Sequence, residues 1–250
     1  MALRKKNGKT NGNGNDQTAQ ECVNKRQAMS QLRRKKWTDF QFKTDKQEEF
    51  YKTIESNTIS FCTGPAGTGK SYLSLYYALK ALGDKKRSYD GIILCRPFIA
   101  IDNESIGYLP GSLEEKADPY MMAYWHIIEK LIGPNILRQL VDGGAIKVIP
   151  LAFFRGLTLD NKIVLYDEAQ NSTVTAMKSF LTRIGTNTKM IVMGDINQAD
   201  RKGISGLADA MTRLVDLKET GHIEFTDKDI VRHSIIGKIL AKYEHDPNEK

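Results

Sequence analysis

Short apolar runs recur along the chain, and most are followed by a longer stretch whose apolar residues have helical spacing. The runs lie at 58–62, 91–95, 146–149, 163–166, 190–193 and 223–225. Nearly continuous apolar runs of this length are typical of parallel strands that are buried on both faces. The alternation predicts an α/β fold in which helices cover both faces of a mainly parallel sheet.

The longer stretches predict helices. We expect them at 45–56, 71–83, 113–131 with a break at Pro119, 174–184, 207–217 and 234–243. After the second predicted strand, the connection over 96–116 carries several glycines, prolines and acids. A connection of this length in a compact domain usually has a function.

Positive charge is concentrated at the start of the chain. The net charge is +7, whereas residues 1–36 alone hold ten Lys and Arg against two acids and therefore carry +8. The segment opens with a polar, Asn- and Gly-rich stretch, so we expect disorder over about the first twenty residues and helix over 20–36. The predicted organisation is a basic, flexible arm at 1–36 and one domain at 37–250. The arm suits either nucleic-acid phosphate or a solvated tail.

Cysteine usage and the apolar pattern predict a cytoplasmic protein. The three cysteines are far apart, and Cys62 and Cys95 lie in predicted strands, as is typical of reduced thiols. No stretch reaches the roughly 18 apolar residues of a membrane span, and the start lacks the apolar centre of a signal peptide. We therefore expect no membrane partner.

The first predicted strand leads into a complete P-loop pattern that opens the next helix. Its residues are Gly64, Pro65, Ala66, Gly67, Thr68, Gly69, Lys70 and Ser71. The glycines let backbone N–H groups turn inward around a phosphate, and the helix N-terminus adds about half a positive charge. The pattern predicts ATP as the cofactor, with Lys70 at its β- and γ-phosphates and the Ser71 hydroxyl at Mg²⁺.

Acids follow the fourth predicted strand, where an apolar run ends in Asp167 and Glu168. This arrangement has the form of a Walker B motif. Asp167 is predicted to hold the Mg²⁺ shell through water, and Glu168 to polarise the attacking water. An acid pair at a strand end can alternatively cap the next helix. After the fifth strand, Gln198 is the candidate sensor of the γ-phosphate, although an ordinary polar loop residue has the same signature.

Together with these motifs, several blocks in a fixed order resemble the PhoH family of P-loop ATPases, which are akin to superfamily 1 helicase cores. The resemblance runs from Thr44 to Tyr243. Its further blocks are Arg96-Pro97, 107–111, Pro119-Tyr120, Arg155-Gly156, 158–159, 167–171, 181–185, Gly194-Asp195 with Gln198, 205–207 and 231–233.

The resemblance implies a single RecA-like P-loop NTPase domain with an additional strand between the P-loop strand and the Walker B strand. It also implies a ring-like homo-oligomer, such as a hexamer, and a helicase-like role on RNA or single-stranded nucleic acid. By the family pattern, Gln47 would read the adenine, with an exposed helix residue as the plain alternative. The chain departs from the family at Leu157, where an arginine is usual, and after Gln198, where a proline is usual.

A single core of this type supplies only one face of an ATP site, so a neighbouring subunit can supply an arginine finger. Arg183 and Arg232 are the candidates, in cis or in trans, and a local ion pair is the alternative for each. Three functions stay open: an ATPase that remodels RNA or single-stranded DNA, a nucleotide-gated binding protein with weak hydrolysis, and a small-molecule phosphotransferase. Glu168 argues against the third, because a kinase must exclude water.

Overall fold

The computed structural model describes residues 13–97, 113–199 and 203–231 of the chain. Within these ranges the helices are α1 (Asn13–Arg34), α2 (Asp45–Ser56), α3 (Lys70–Gly83), α4 (Leu113–Ile132), α5 (Pro134–Asp142), α6 (Val174–Leu181) and α7 (Gly206–Leu214). The strands are β1 (Ile59–Thr63), β2 (Gly91–Cys95), β3 (Ile146–Val148), β4 (Lys162–Tyr166), β5 (Lys189–Gly194) and β6 (Thr220–Glu224). Arg232, the helix predicted at 234–243 and most of the connection at 96–116 lie outside the described residues.

The six strands form one sheet in the order β3-β2-β4-β5-β1-β6, and every neighbouring pair is parallel. The predicted α/β class and parallel sheet are therefore confirmed. The strand β5 lies between β1 and β4, so the additional strand between the P-loop strand and the acid-bearing strand is confirmed as well.

Successive residues of each central strand point to opposite faces of the sheet, and each face has its own hydrophobic core. In β2, Ile92 and Leu94 pack with the helices α1 to α5, whereas Ile93 and Cys95 pack with α6 and α7. This division explains why the strand sequences are apolar throughout instead of alternating.

Parallel strands bring all their carboxyl ends to one edge of the sheet. The chain leaves β1 at Thr63, β4 at Tyr166 and β5 at Gly194, all on this edge. The P-loop and the acid pair, which lie about a hundred residues apart in sequence, are thus placed side by side.

Helix α4 contradicts the predicted break, because it runs through Pro119 without interruption. A proline in a helix interior costs about 3 kcal/mol. Each large apolar side chain that is fully buried contributes about 1.5–3 kcal/mol. The helix buries such side chains along one face, which offsets the cost of the proline: Met121, Tyr124, Ile128 and Ile132.

Helices α6 and α7 end earlier than predicted, and α5 was not predicted. In α6 the helix stops at Leu181, where Arg183 N donates to Phe180 O and tightens the last turn. Helix α7 stops at Leu214, and Leu217 N donates to Leu214 O in the same manner. The unpredicted α5 has Pro134 at its first position and Gly143 at its end, which are ordinary start and stop signals.

Helix α1 begins at Asn13, so residues 13–19 are helical where disorder was expected, while the helix predicted from residue 20 is confirmed to Arg34. Its second half packs against α3 and α5. Ala28, Met29 and Leu32 are buried there, since they share one helical face. The division into an arm at 1–36 and a domain at 37–250 stays a prediction, but these three side chains belong to the core of the domain.

Candidate functional site

The P-loop curls tightly between β1 and α3. Gly64, Gly67 and Gly69 all have positive φ, of 126°, 92° and 92°. A Cβ on Gly64 would lie 2.3 Å from the carbonyl oxygen of Phe225, so no other residue fits there without moving the backbone. Glycines at these positions allow the loop a backbone path that other residues would adopt only with strain.

Lys70, the first residue of α3, points into this curl. Its Nζ donates to the carbonyl oxygens of Gly64 at 2.6 Å and Pro65 at 2.8 Å, and only 9% of the residue is exposed. The ammonium is thus held within the loop, beside the N-terminus of α3. This is the position that a phosphate-binding lysine requires.

Ser71 and Asp167 join the P-loop to the end of β4. The Ser71 hydroxyl donates to Oδ2 of Asp167 at 2.9 Å, and the backbone N–H of Glu168 donates to Oδ1 at 3.0 Å. The Tyr124 hydroxyl, from α4, also donates to Oδ2. Burial, followed by the Asp167 charge, raises the pKa of Tyr124 well above its usual value, so the phenol stays a donor.

This pair of oxygen-bearing side chains fits Mg²⁺. In nucleotide sites Mg²⁺ keeps several waters and takes one or two protein oxygens together with phosphate oxygens. Ser71 and Asp167 supply such a donor set at the mouth of the P-loop. The predicted placement of these two residues together is confirmed by their hydrogen bond, whereas Mg²⁺ binding itself stays a prediction.

Both carboxylate oxygens of Glu168 are engaged. Arg96, just after β2, donates to Oε1 at 2.9 Å, and Gln170 donates to Oε2 at 2.7 Å. The other end of the Gln170 amide accepts from the backbone N–H of Asp195 at 3.1 Å, beyond the tip of β5. Gln170 is 2% exposed and therefore fixes Glu168 relative to the end of β5.

Glu168 also has unusual backbone geometry. Its φ is 53°, in the left-handed region that non-glycine residues rarely occupy. Such strained conformations persist only where surrounding contacts hold them, and they concentrate at functional sites. The contacts with Arg96 and Gln170 are of this kind. Glu168 does not cap a helix with its side chain, so the capping alternative is not supported.

Gln47 lies beside the P-loop and is 4% exposed, so the alternative of an exposed helix residue is wrong. Its Nε2 donates to the carbonyl oxygen of Thr68 at 2.9 Å, and its Oε1 accepts from the backbone N–H of Lys43 at 2.9 Å. The amide thus connects the segment before α2 to the P-loop. Recognition of adenine by Gln47 stays a prediction.

These elements surround an open cleft of about 920 Å³, which we call the nucleotide cleft. Pockets that bind nucleotide-sized ligands typically have volumes of about 300–1,000 Å³. Its lining combines the phosphate-binding end with an aromatic end: Gln47, Ala66, Gly67, Gly69, Lys70, Ser71, Arg96, Tyr124, Asp167 and Glu168, then Phe40, Tyr72 and Tyr76. The sequence-predicted P-loop and acid pair therefore share one cavity.

Gln198 and Arg183, two further predicted site residues, do not line this cavity. Gln198 is exposed at the end of a 3₁₀ turn after β5. Arg183 lies near the amino end of β4, where its Nε donates to Ser179 O at 3.0 Å and its backbone carbonyl accepts from Leu159 N. The structure therefore does not support Arg183 as an arginine finger in cis, because the P-loop lies at the opposite edge of the sheet. Arg232 lies outside the described residues.

Sequence reasoning missed the roles of Arg96, Tyr124 and Gln170. Arg96 stands in one of the motif blocks and Gln170 stands two residues beyond the acid pair, so position alone marks them as neighbours of the site. Tyr124 carries no local signal, since α4 reaches the cleft only through tertiary packing.

In the parallel sheet, the P-loop strand and the acid-bearing strand lie on either side of a third strand. Lys70, Ser71 and Asp167 converge on one cleft. Together these features define a P-loop nucleotide-binding protein. Comparison of the sequence with known protein families identifies one of them. The chain belongs to the PhoH family, whose profile, described as "PhoH-like protein", matches residues 39–244.

Relatives include the PhoH-like protein of Bacillus subtilis strain 168, which is 42% identical over 204 residues, covering 81% of this chain and 63% of the relative. Protein PhoH of Escherichia coli K12 is 37% identical over 205 residues, covering 80% of this chain and 57% of that protein. The chain thus spans less than two thirds of the length of these relatives.

Solved structures that are similar to the chain include the large terminase of a thermophilic bacteriophage. It has a TM-score of 0.48 and 12% identity, over 81% of this chain and 50% of the terminase. A second structure of that terminase, in complex with ADP, has a TM-score of 0.45 and 11% identity, with the same coverage. Among the described residues, no helix is long and apolar enough to cross a bilayer.

Proposed function

We propose that this protein is a Mg²⁺-dependent ATPase that couples ATP hydrolysis to the binding or remodelling of RNA or another single-stranded nucleic acid in the cytoplasm. The observation that carries the ATPase part is the convergence of Lys70, Ser71, Asp167 and Glu168 on one cleft. Ser71 and Asp167 are in direct contact at 2.9 Å, so the two motifs already have the spacing that a shared metal needs. The coupling to nucleic acid follows the family resemblance.

Each residue has a distinct part in the proposed reaction. Lys70 would bind the β- and γ-phosphates, and Ser71 and Asp167 would hold Mg²⁺, which neutralises charge on the phosphates. Tyr124 donates to Asp167 and keeps that carboxylate in place. Glu168 would accept a proton from the attacking water. Gln170 orients the Glu168 carboxylate through its 2.7 Å hydrogen bond.

One contact favours a second candidate, a nucleotide-gated nucleic-acid-binding protein that hydrolyses ATP weakly and does not unwind. Arg96 forms an ion pair with Glu168 at 2.9 Å. With Arg96 on Oε1 and Gln170 on Oε2, both oxygens that could accept the proton of the attacking water already have a donor. Slow hydrolysis follows if this pair persists when ATP is bound.

The two candidates differ in their response to polymer. We expect phosphate release from Mg·ATP to rise severalfold when single-stranded RNA is added, and to rise less with duplex, because bases in a duplex are already stacked and paired. Single-stranded DNA is the third arm of the measurement, and a Lys70→Ala preparation controls for contaminating ATPases. Turnover that is slow and equal in all arms would support the gated binding protein. Absence of both turnover and ATP binding would overturn the proposal.

We further propose that the active species is a ring-like homo-oligomer with ATP sites at subunit boundaries. The nucleotide cleft is open, and Arg183 lies at the edge of the sheet opposite its own P-loop, so an arginine finger at this position acts in trans. A finger of this kind contributes about 10³ to 10⁵ in rate.

Subunit mixing tests this arrangement. Glu168→Gln subunits lack the water-activating face, and Arg183→Ala subunits lack the proposed donor face. Mixed assemblies are expected to recover turnover that neither variant shows alone, since some boundaries then pair two intact faces. An Arg213→Ala subunit is the matched control, because Arg213 is also near a helix end but pairs with Asp209. A sedimentation mass of one chain in Mg·ATP would contradict the ring.

A further inference from the structure

Two runs of basic residues that are far apart in the sequence lie together in the fold. The first is Arg33–Lys36, at and just beyond the end of α1, and the second is Lys85–Arg87, just beyond the end of α3. The two helices touch closely at this point, since a Cβ on Gly83 would lie 3.2 Å from the carbonyl oxygen of Leu32. Each run alone is typical of a solvated surface, whereas their convergence concentrates positive charge on one part of the molecule.

Between the two runs lies an open cleft of about 440 Å³, which we call the basic cleft. Its lining includes both cations and aromatic rings: Arg33, Lys80, Lys85, Lys86 and Arg87, with Trp37, Tyr51 and Tyr77. None of its lining residues belongs to the nucleotide cleft. It is therefore a separate site, at the opposite end of α3 from the P-loop.

The charges of the basic cleft are not cancelled by its own acids. Its two acids, Glu55 and Asp84, both pair with Arg87, at 2.6 Å and 3.6 Å. Within the described residues no ion pair involves Arg33, Lys85 or Lys86, and all three are exposed. The cleft as a whole has a positive excess, and its outer cations have their donors turned to solvent.

The aromatic rings in and around the cleft already lie against cations. Lys35 Nζ is 5.5 Å from the centre of the Trp37 ring, Lys80 Nζ is 5.9 Å from that of Tyr51, and the Arg87 guanidinium is 5.5 Å from that of Tyr77. Trp37 itself is half-buried, with its ring edge-on to Tyr76. Aromatic rings placed among cations are the arrangement that binds unpaired bases and the phosphates between them.

We propose that the basic cleft binds single-stranded nucleic acid, with a base against Trp37 and phosphates at Arg33, Lys85 and Lys86. The inference deepens the proposed function, because it places the polymer of that function at a defined surface. A single strand is favoured over a duplex, since only unpaired bases present a free face to an aromatic ring. Phosphate supplies the charge that complements the cleft.

The first test removes charge from the cleft. Lys85→Glu with Lys86→Glu is compared with Lys178→Glu plus Lys218→Glu, which changes net charge equally at two exposed lysines that line neither cleft. Binding of labelled single-stranded RNA is measured by fluorescence anisotropy over a series of salt concentrations. Loss of two phosphate contacts reduces the slope of log affinity against log salt by about 1.4. We expect this reduction and at least a tenfold loss of affinity in the cleft variant only.

The second test monitors the cleft directly. The chain has two tryptophans, so Trp125→Phe leaves Trp37 as the only one, and Trp37→Phe leaves Trp125 on α4. Added single-stranded RNA is expected to quench the tryptophan fluorescence of the Trp125→Phe variant. The tryptophan fluorescence of the Trp37→Phe variant is expected to stay the same. Unchanged emission from Trp37 at saturating RNA would overturn the proposal.

Three results separate this inference from the proposed function. The cleft is overturned as a polymer site if RNA binding is weakened equally in the two double-lysine variants. It is also overturned if inorganic phosphate or a mononucleotide displaces the RNA completely. RNA binding that is retained in the variant with Lys85→Glu and Lys86→Glu also overturns the cleft as a polymer site, but it leaves the ATPase proposal intact. If the parent protein binds neither single-stranded RNA nor single-stranded DNA, the cleft proposal and the nucleic-acid part of the proposed function fail together. ATP turnover without polymer should equal that of the parent in the cleft variant, because the P-loop and the acid pair are untouched.

Discussion

Replacing Lys70 with alanine is expected to abolish ATP hydrolysis and to weaken ATP binding, with a loss of turnover of at least about a hundredfold. The ammonium lies inside the P-loop curl, bonded to the carbonyl oxygens of Gly64 and Pro65, where it would meet the phosphates. The fold should persist, because the side chain enters neither hydrophobic core. Phosphate release and binding of a fluorescent ATP analogue measure the two effects, and thermal melting followed by circular dichroism checks the fold.

Lys130→Ala is the matched control for this change. Lys130 also lines the nucleotide cleft, but it is exposed and belongs to α4 and not to the P-loop. Its loss should leave turnover close to that of the parent. Equal turnover in parent and Lys70→Ala would refute the P-loop assignment, whereas an unfolded Lys70→Ala protein would show that the lysine mainly holds the loop together.

Glu168→Gln is expected to separate binding from hydrolysis. The variant should bind Mg·ATP, since the metal site depends on Ser71 and Asp167, whose 2.9 Å contact does not involve Glu168. Turnover should fall by about 10² to 10⁴, because an amide cannot accept the proton of the attacking water. Equilibrium binding of ATP at several Mg²⁺ concentrations, together with single-turnover phosphate release, gives the two quantities.

The isosteric change Glu129→Gln, at an exposed position of α4, controls for loss of a negative charge near the site. Loss of ATP binding in Glu168→Gln would mean that Glu168 is a structural residue or a metal ligand. A variant that turns over at the rate of the parent would remove Glu168 from the reaction.

The parts of the fold that could be predicted are those whose signals are local. Buried parallel strands are apolar throughout, so all six described strands lie within a few residues of their predicted bounds. Helix α2 has the same first and last residues as predicted, because Thr44 caps its start and accepts from Gln47 N. The P-loop is equally clear, since its glycines, lysine and serine are adjacent in the chain.

The contacts that could not be predicted depend on pairing between distant segments. Nothing near Tyr124 indicates that its hydroxyl reaches Asp167, 43 residues later. The ion pair between Arg96 and Glu168 spans 72 residues and exists because β2 and β4 are neighbours in the sheet. Position after β5 makes Gln198 the sensor candidate, yet the buried amide that contacts this strand tip belongs to Gln170. Such contacts depend on the order of the strands in the sheet, which local sequence patterns do not indicate.

In the basic segment at the start of the chain, the sequence indicates the charge but not the packing. Composition correctly identifies its charge, but the face formed by Ala28, Met29 and Leu32 is too short to stand out among polar residues. Removing residues 1–36 would therefore uncover α3 and α5 as well as delete charge. A truncation that begins at residue 13 keeps this packing and is the better way to examine the first residues of the chain.

Helix α3 starts at Lys70 and ends at Gly83, so its two ends belong to the two clefts. Its 14 residues form a rod of about 21 Å, and most of them are buried, which leaves no hinge between the ends. If both proposals hold, ATP and the nucleic acid bind at the two ends of this one helix. Thermodynamic reciprocity then requires that the bound nucleic acid change the affinity for ATP by the same factor by which ATP changes the affinity for the nucleic acid.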